Sequence, residues 1–116
     1  MTDEGSMISA RQSIDGGVLV VLSGEINFDR SPLLRNELVK MLQHDGVNKL
    51  VLDMASVEYM DSSAVAALVE VMQIQRRRRQ KLILCRMQPK VKGIFEIARL
   101  DTVFTIVDDL DAAIAE

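Results

Sequence analysis

Asp53-Met-Ala-Ser-Val-Glu-Tyr-Met-Asp-Ser-Ser-Ala-Val-Ala-Ala-Leu-Val-Glu-Val-Met72 is the stretch on which the reading of this chain turns. It begins where the apolar run Leu50-Val51-Leu52 stops reading as a strand, and it passes through a short polar turn. Apolar sequence resumes at Ala64 with helical spacing: Val65, Leu68, Val69 and Met72 fall at i, i+3, i+4 and i+7. Asp61-Ser62-Ser63 lies between, and these residue types accept backbone N–H bonds at a helix start. With Asp61 as N-cap, Met60 and Val65 take the two positions of a hydrophobic staple. A second stripe, Ala67, Val71 and Ile74, leaves a polar wedge of only Ala66, Glu70, Gln73 and Arg77. The helix is therefore expected to be mostly buried, with its N-terminus in a loop at the carboxyl end of a strand. Ligands and partners of open α/β sheets are met at that end.

Outward from this stretch, the pattern alternates strand and helix. Ile8–Ile14 and Val18–Leu22 read as a hairpin around Gly16-Gly17. Gly24-Glu25-Ile26-Asn27 ends the second strand. Ser31 then offers an N-cap with Pro32 at N1, Leu34, Leu38, Met41 and Leu42 form one face, and Gly46 is a plausible stop. Lys49–Met54 has the uniformly apolar centre of a buried parallel strand. The central helix runs to about Arg78, and Leu82–Cys85 is the next strand, reached by a right-handed crossover. Pro89 opens a helix burying Val91, Ile94, Phe95 and Ala98. Val103–Val107 is a final strand, and Asp108-Asp109 cap a last helix burying Leu110, Ala113 and Ile114. The order ββαβαβαβα predicts one α/β domain over 7–116, with residues 1–6 as a flexible end. Its mixed sheet has four to five strands, a hairpin followed by βαβ units, and about four helices.

A chain of 116 residues, 48% hydrophobic and 27% charged, buries a core without disulfides or metal. No apolar run approaches the roughly 20 residues of a membrane span. The acidic first six residues lack a signal peptide's features, and a lone cysteine, Cys85, suits a reducing compartment. A cytoplasmic protein without membrane insertion is the expectation. A net charge of −3 and four aromatic side chains argue against direct nucleic-acid binding. Charge is unevenly placed, with eight basic residues and no acid between Arg76 and Lys92. Such a run is ordinarily a solvated face and occasionally an interaction patch.

Catalytic patterns are missing. His44 and Cys85 are single and far apart, which supports neither a zinc site nor a Cys-His pair. Phosphate-binding glycine loops and the Gly-x-Ser-x-Gly elbow do not occur. Asp53, Glu58 and Asp61 are not visibly paired around a substrate, so neither enzyme activity nor a cofactor is expected. Ser62 and Ser63 remain. Serines at a helix start ordinarily bond backbone N–H groups. The functional alternative is a regulated serine, because a helix N-terminus accommodates a phosphate.

Val57-Glu58-Tyr59-Met60-Asp61-Ser62-Ser63-Ala64, following Leu50-Val51-Leu52-Asp53, resembles the signature of the STAS domain of bacterial anti-sigma-factor antagonists. Leu22–Ile26, Leu33-Leu34-Arg35, Leu82–Cys85 and Val91–Leu100 extend the likeness, which spans about Ile8 to Ile114. The resemblance implies phosphorylation of Ser62 by an anti-sigma factor that is also an ATP-dependent serine kinase, with a serine phosphatase resetting it. The unphosphorylated form would bind that factor and release the sigma factor. Asp61, Ser63, Ala64, Glu25 and Asn27 would lie on the partner-binding surface. The family often has glycine at the position of Ala64 and usually aspartate at that of Asn27. Similar domains also serve as scaffold subunits of stress-sensing complexes and as cytoplasmic accessory subunits of lipid or anion transporters.

Overall fold

A computed structural model describes residues 7–44 and 46–116; the predicted flexible end, residues 1–6, lies outside them. The strands are β1 (Ile8–Ile14), β2 (Gly17–Ile26), β3 (Lys49–Met60), β4 (Lys81–Cys85) and β5 (Thr105–Val107). The helices are α1 (Ser31–Leu42), α2 (Ser62–Arg77), α3 (Pro89–Ile97) and α4 (Leu110–Ala115). The sheet order is β1-β2-β3-β4-β5, with β1 antiparallel to β2 and every later pair parallel.

The centres of β2, β3 and β4 are apolar because both sheet faces are covered there, and their side chains alternate between the faces. Val20, Leu22, Leu50, Leu52, Leu82 and Leu84 join the α1–α3 side, with Leu34, Leu38, Leu68, Val71, Val91 and Phe95. Leu19, Val51, Ile83 and Cys85 face the other way, onto Ala113, Leu110 and Ile114 of α4. Phe95 and Phe104 meet edge to face at 5.4 Å, closing the core near β5. β1 is an exposed edge strand carrying polar Arg11, Gln12 and Ser13.

Several local expectations change. β3 does not stop at Met54; it continues through the predicted polar turn to Met60, because β2 runs beside it as far as Ile26. Polar Ser56 and Glu58 are tolerated there as exposed positions of a strand. The hairpin turn is Asp15-Gly16, not Gly16-Gly17. Gly17 belongs to β2, packed so closely on β3 that a Cβ would sit 1.9 Å from the Lys49 carbonyl oxygen. Ser31 lies inside α1, whose N-cap is Arg30 without a side-chain bond. Gly46 follows the end of α1 at φ +86 but does not occupy the stop position, since the C-cap is Gln43. The last strand is shorter than Val103–Val107 because a 3-10 turn, Leu100–Thr102, precedes it.

Candidate functional site

β2 and β3 end side by side, pairing Glu25 with Tyr59 and Ile26 with Met60. The Asp61 N–H donates to the Ile26 carbonyl at 3.2 Å, which fixes the start of α2 against the end of β2. Asp61 is the N-cap, as its residue type and position predict. Its Oδ1 accepts from Ala64 N–H at 3.0 Å and from the Ser63 hydroxyl at 2.6 Å. Its Oδ2 accepts from Phe28 N–H at 2.9 Å, across to the loop between β2 and α1. One carboxylate thus clasps two segments 33 residues apart. The Ser63 hydroxyl, followed by burial and the backbone donors, governs its titration, and the balance holds Asp61 below the usual carboxylate range.

The two serines differ sharply in their surroundings. Ser63 is half-buried, gives its proton to Asp61 and accepts from the buried Ser31 hydroxyl at 3.2 Å. Ser62, at the first helical position, is exposed, and among the described residues its hydroxyl has no hydrogen-bond partner. Asn27 is half-buried and shapes its own loop. Its Oδ1 accepts from Asp29 N–H at 3.1 Å, and its carbonyl accepts from the Arg30 and Ser31 N–H groups. Glu25 is exposed beside Tyr59. Ala64 departs from its expected role. It is fully buried, so it offers no side chain to a partner and serves through its N–H on Asp61.

Sequence reasoning did not single out three exposed hydrophobic side chains in this region. Phe28 is 70% exposed and Tyr59 48%, and Leu33 in the first turn of α1 is also exposed. Of the four large exposed hydrophobic side chains among the described residues, only Ile97 lies elsewhere, on α3. Tyr59 and Phe28 read as ordinary turn and loop residues until β2 and β3 are paired. Ser31 was likewise hidden, since an N-cap role and a buried hydroxyl use the same residue type.

The remaining reactive groups serve the scaffold. Asp53 is buried, which alone would raise its pKa. Bonds from Arg86 at 3.0 and 2.5 Å, the Ala55 N–H and the positive charge outweigh that and lower it. Arg86 adopts φ +57 at the end of β4 to make this pair. Burial pushes the Cys85 thiol up to about 11, leaving an unreactive core thiol. Among the described residues no group of three His, Cys, Asp or Glu side chains could hold a metal ion. No helix among them is long and apolar enough to cross a membrane.

Comparison with known proteins agrees with this geometry. BtrV of Bordetella bronchiseptica, named as a candidate anti-sigma factor antagonist, is 28% identical over 102 residues, 88% of this chain and 87% of its own. The anti-sigma F factor antagonist of Paenibacillus polymyxa is 25% identical over 101 residues, 86% of each chain. The Bacillus cell fate determinant SpoIIAA in its phosphorylated form superposes with a TM-score of 0.67 at 19% identity. That match covers 89% of this chain and 96% of SpoIIAA. The STAS domain family model matches residues 9–113, nearly the whole sheet, helices α1–α3 and the start of α4, and the chain belongs to that family.

Proposed function

We infer that this protein is an anti-sigma-factor antagonist switched by phosphorylation of Ser62. Unphosphorylated, it binds an anti-sigma factor that is also its serine kinase, and a serine phosphatase restores that form. It performs no catalysis itself. One observation carries the reading: of two adjacent serines at the start of α2, only Ser62 presents a free, exposed hydroxyl. The relatives named as antagonists support the partner, and the exposed Phe28, Tyr59 and Leu33 suit a protein-binding face.

The chemistry explains why phosphate would act on binding rather than on folding. A phosphoserine adds about −1.5 to −2 charges at neutral pH. At the first turn of α2 it meets the positive end of the helix dipole. The Ser63 and Ala64 N–H groups, however, already serve Asp61, which leaves few amides for the phosphate. Asp61 stays ionised beside it, Glu58 is exposed just before it in the sequence, and Glu25 and Asp29 are exposed at the end of β2 and in the loop that bonds to Asp61. The added charge must be desolvated at the partner surface, and a loss of about 3 kcal/mol weakens binding more than a hundredfold.

The test is mass spectrometry after incubation with ATP and the cognate kinase, with calorimetric binding of variants. Phosphate is expected on Ser62 alone, and Ser63→Ala is still phosphorylated there. Ser62→Ala binds tightly and Ser62→Asp more than a hundredfold less. Phosphate on Ser63, or equal affinities for the two variants, overturns the switch.

A further inference from the structure

The outer face of α3 carries features that the domain by itself does not need. Val91 and Phe95 are buried, so the opposite side of the helix looks outward. Gly93 stands at the middle of that side, and Ile97 follows one turn later on the same side, 87% exposed. Only proline is a poorer helix former than glycine. Among the described residues nothing requires glycine here: its φ is not positive, and a Cβ would meet no atom within 4 Å. An open notch therefore lies one turn from an apolar knob.

The charges of α3 run against its own dipole. Lys90 and Lys92 occupy the first turn and Glu96 the last, with no acid at the start and no base at the end. A helix dipole favours the opposite order. Lys92 reaches Asp108 at 3.4 Å, whereas the side chains of Lys90 and Glu96 make no hydrogen bond or ion pair among the described residues. Arg99 lies past the Ala98 C-cap, outside the helix.

We propose that this face pairs with the same face of a second copy of the chain, the two α3 helices running antiparallel about a twofold axis. Such an interface is self-complementary. Ile97 of each copy fills the notch at Gly93 of the other, where the missing side chain lets the helices approach closely. The basic first turn of one helix meets the acidic last turn of its partner, which answers the charges that the dipole leaves unfavourable. A parallel arrangement would set Ile97 on Ile97, leave both notches empty and oppose lysine to lysine. The contact is small, so the association is weak and reversible. None of the residues assigned to the Ser62 switch takes part.

Sedimentation equilibrium of the full chain, from about 10 μM to about 1 mM, spans the affinities expected of so small a contact. A reversible dimer is expected. Ile97→Glu should weaken it tenfold or more, as loss of a central anchor does. Gly93→Leu should weaken it about as much, because the notch is filled, yet raise the melting temperature of the dilute chain. Glu96→Lys should likewise raise the melting temperature while weakening association by about threefold. Gains in stability alongside losses of association separate an interface from a role in folding. Oxidising a mixture of Gly93→Cys and Ile97→Cys chains should join position 93 to position 97 in preference to either symmetrical product, with the native Cys85 buried. A chain that stays monomeric at the highest concentration, leaving this face to a different protein, overturns the pairing. So does a dimer unchanged by Ile97→Glu or Gly93→Leu, or a predominance of the symmetrical disulfides.

Discussion

Asp53 and Asp61 lie on and just beyond the same strand, and both are held below the usual carboxylate range. Asp53 is enclosed by the sheet and neutralised by Arg86, and its bonds join β3 to the end of β4. Asp61 sits at the rim, answers only neutral donors, and joins the loop bearing Phe28 to the helix bearing Ser62. A depressed pKa therefore does not by itself mark a functional group. What separates the two is their setting: one buried carboxylate ends in an ion pair with a half-exposed Arg86, the other caps the helix that begins at the exposed Ser62 and anchors the loop bearing Phe28.

The largest effect tests the structural half of that contrast. Asp53→Ala leaves the Arg86 guanidinium without its carboxylate. Removing one member of a buried pair destabilises by about 3–5 kcal/mol, and Arg86 is 45% exposed, which reduces the expected loss to about 2 kcal/mol. Urea unfolding measures it, while partner affinity of the folded protein should stay within about twofold. A large affinity change would dissolve the distinction between the two aspartates.

Asp61→Ala should destabilise less, by about 1 kcal/mol for a lost N-cap. Its effect on partner binding should be the greater of the two substitutions, because the Phe28 loop loses its anchor on α2. Both aspartates make the fold acid-sensitive. Their folded pKa values are lowered, so the unfolded chain takes up protons first as pH falls. The contribution of each is complete above the ordinary carboxylate range and disappears as pH drops from about 4 through the folded value. Stability curves of Asp53→Ala and Asp61→Ala should each fall less steeply with acid than the parent; a parallel curve would show that the carboxylate concerned is not depressed.

Smaller changes sharpen the surface side of the comparison. Phe28→Ala removes an exposed ring and no core contact. Stability should change by less than about 0.5 kcal/mol, whereas partner affinity should fall roughly tenfold, as for a moderate interface anchor. Unchanged affinity would remove Phe28 from the interface. The smallest effect is expected for replacing Arg76–Arg79 with Gln. All four are exposed, and among the described residues only the side chains of Arg76 and Arg78 reach carbonyls, of Val103 and Leu42. A loss below about 1 kcal/mol follows, with partner binding intact; lost partner binding would mark the run as a second interaction surface.

The central helix, its Asp61 cap and the parallel strands were legible in the chain because local chemistry determines them. Apolar spacing of 3.6 positions α2, a short acceptor side chain caps it, and an uninterrupted Leu-Val-Leu run needs cover on both faces. The candidate residues Asp61, Ser62 and Ser63 were readable as a capped helix start for the same reason. The length of β3 was not, since residues 55–60 look like a turn until β2 is laid beside them. Nor was the distinction between the serines, which depends on Ser31 arriving from α1, 32 residues earlier than Ser63. The burial of Ala64, the partnership of Asp53 with Arg86, and the exposure of Phe28 and Tyr59 at one edge are likewise contacts between distant segments. Periodicity and capping act within a turn of the chain, while the identity of a free hydroxyl or an exposed ring is settled only when strands and helices pack.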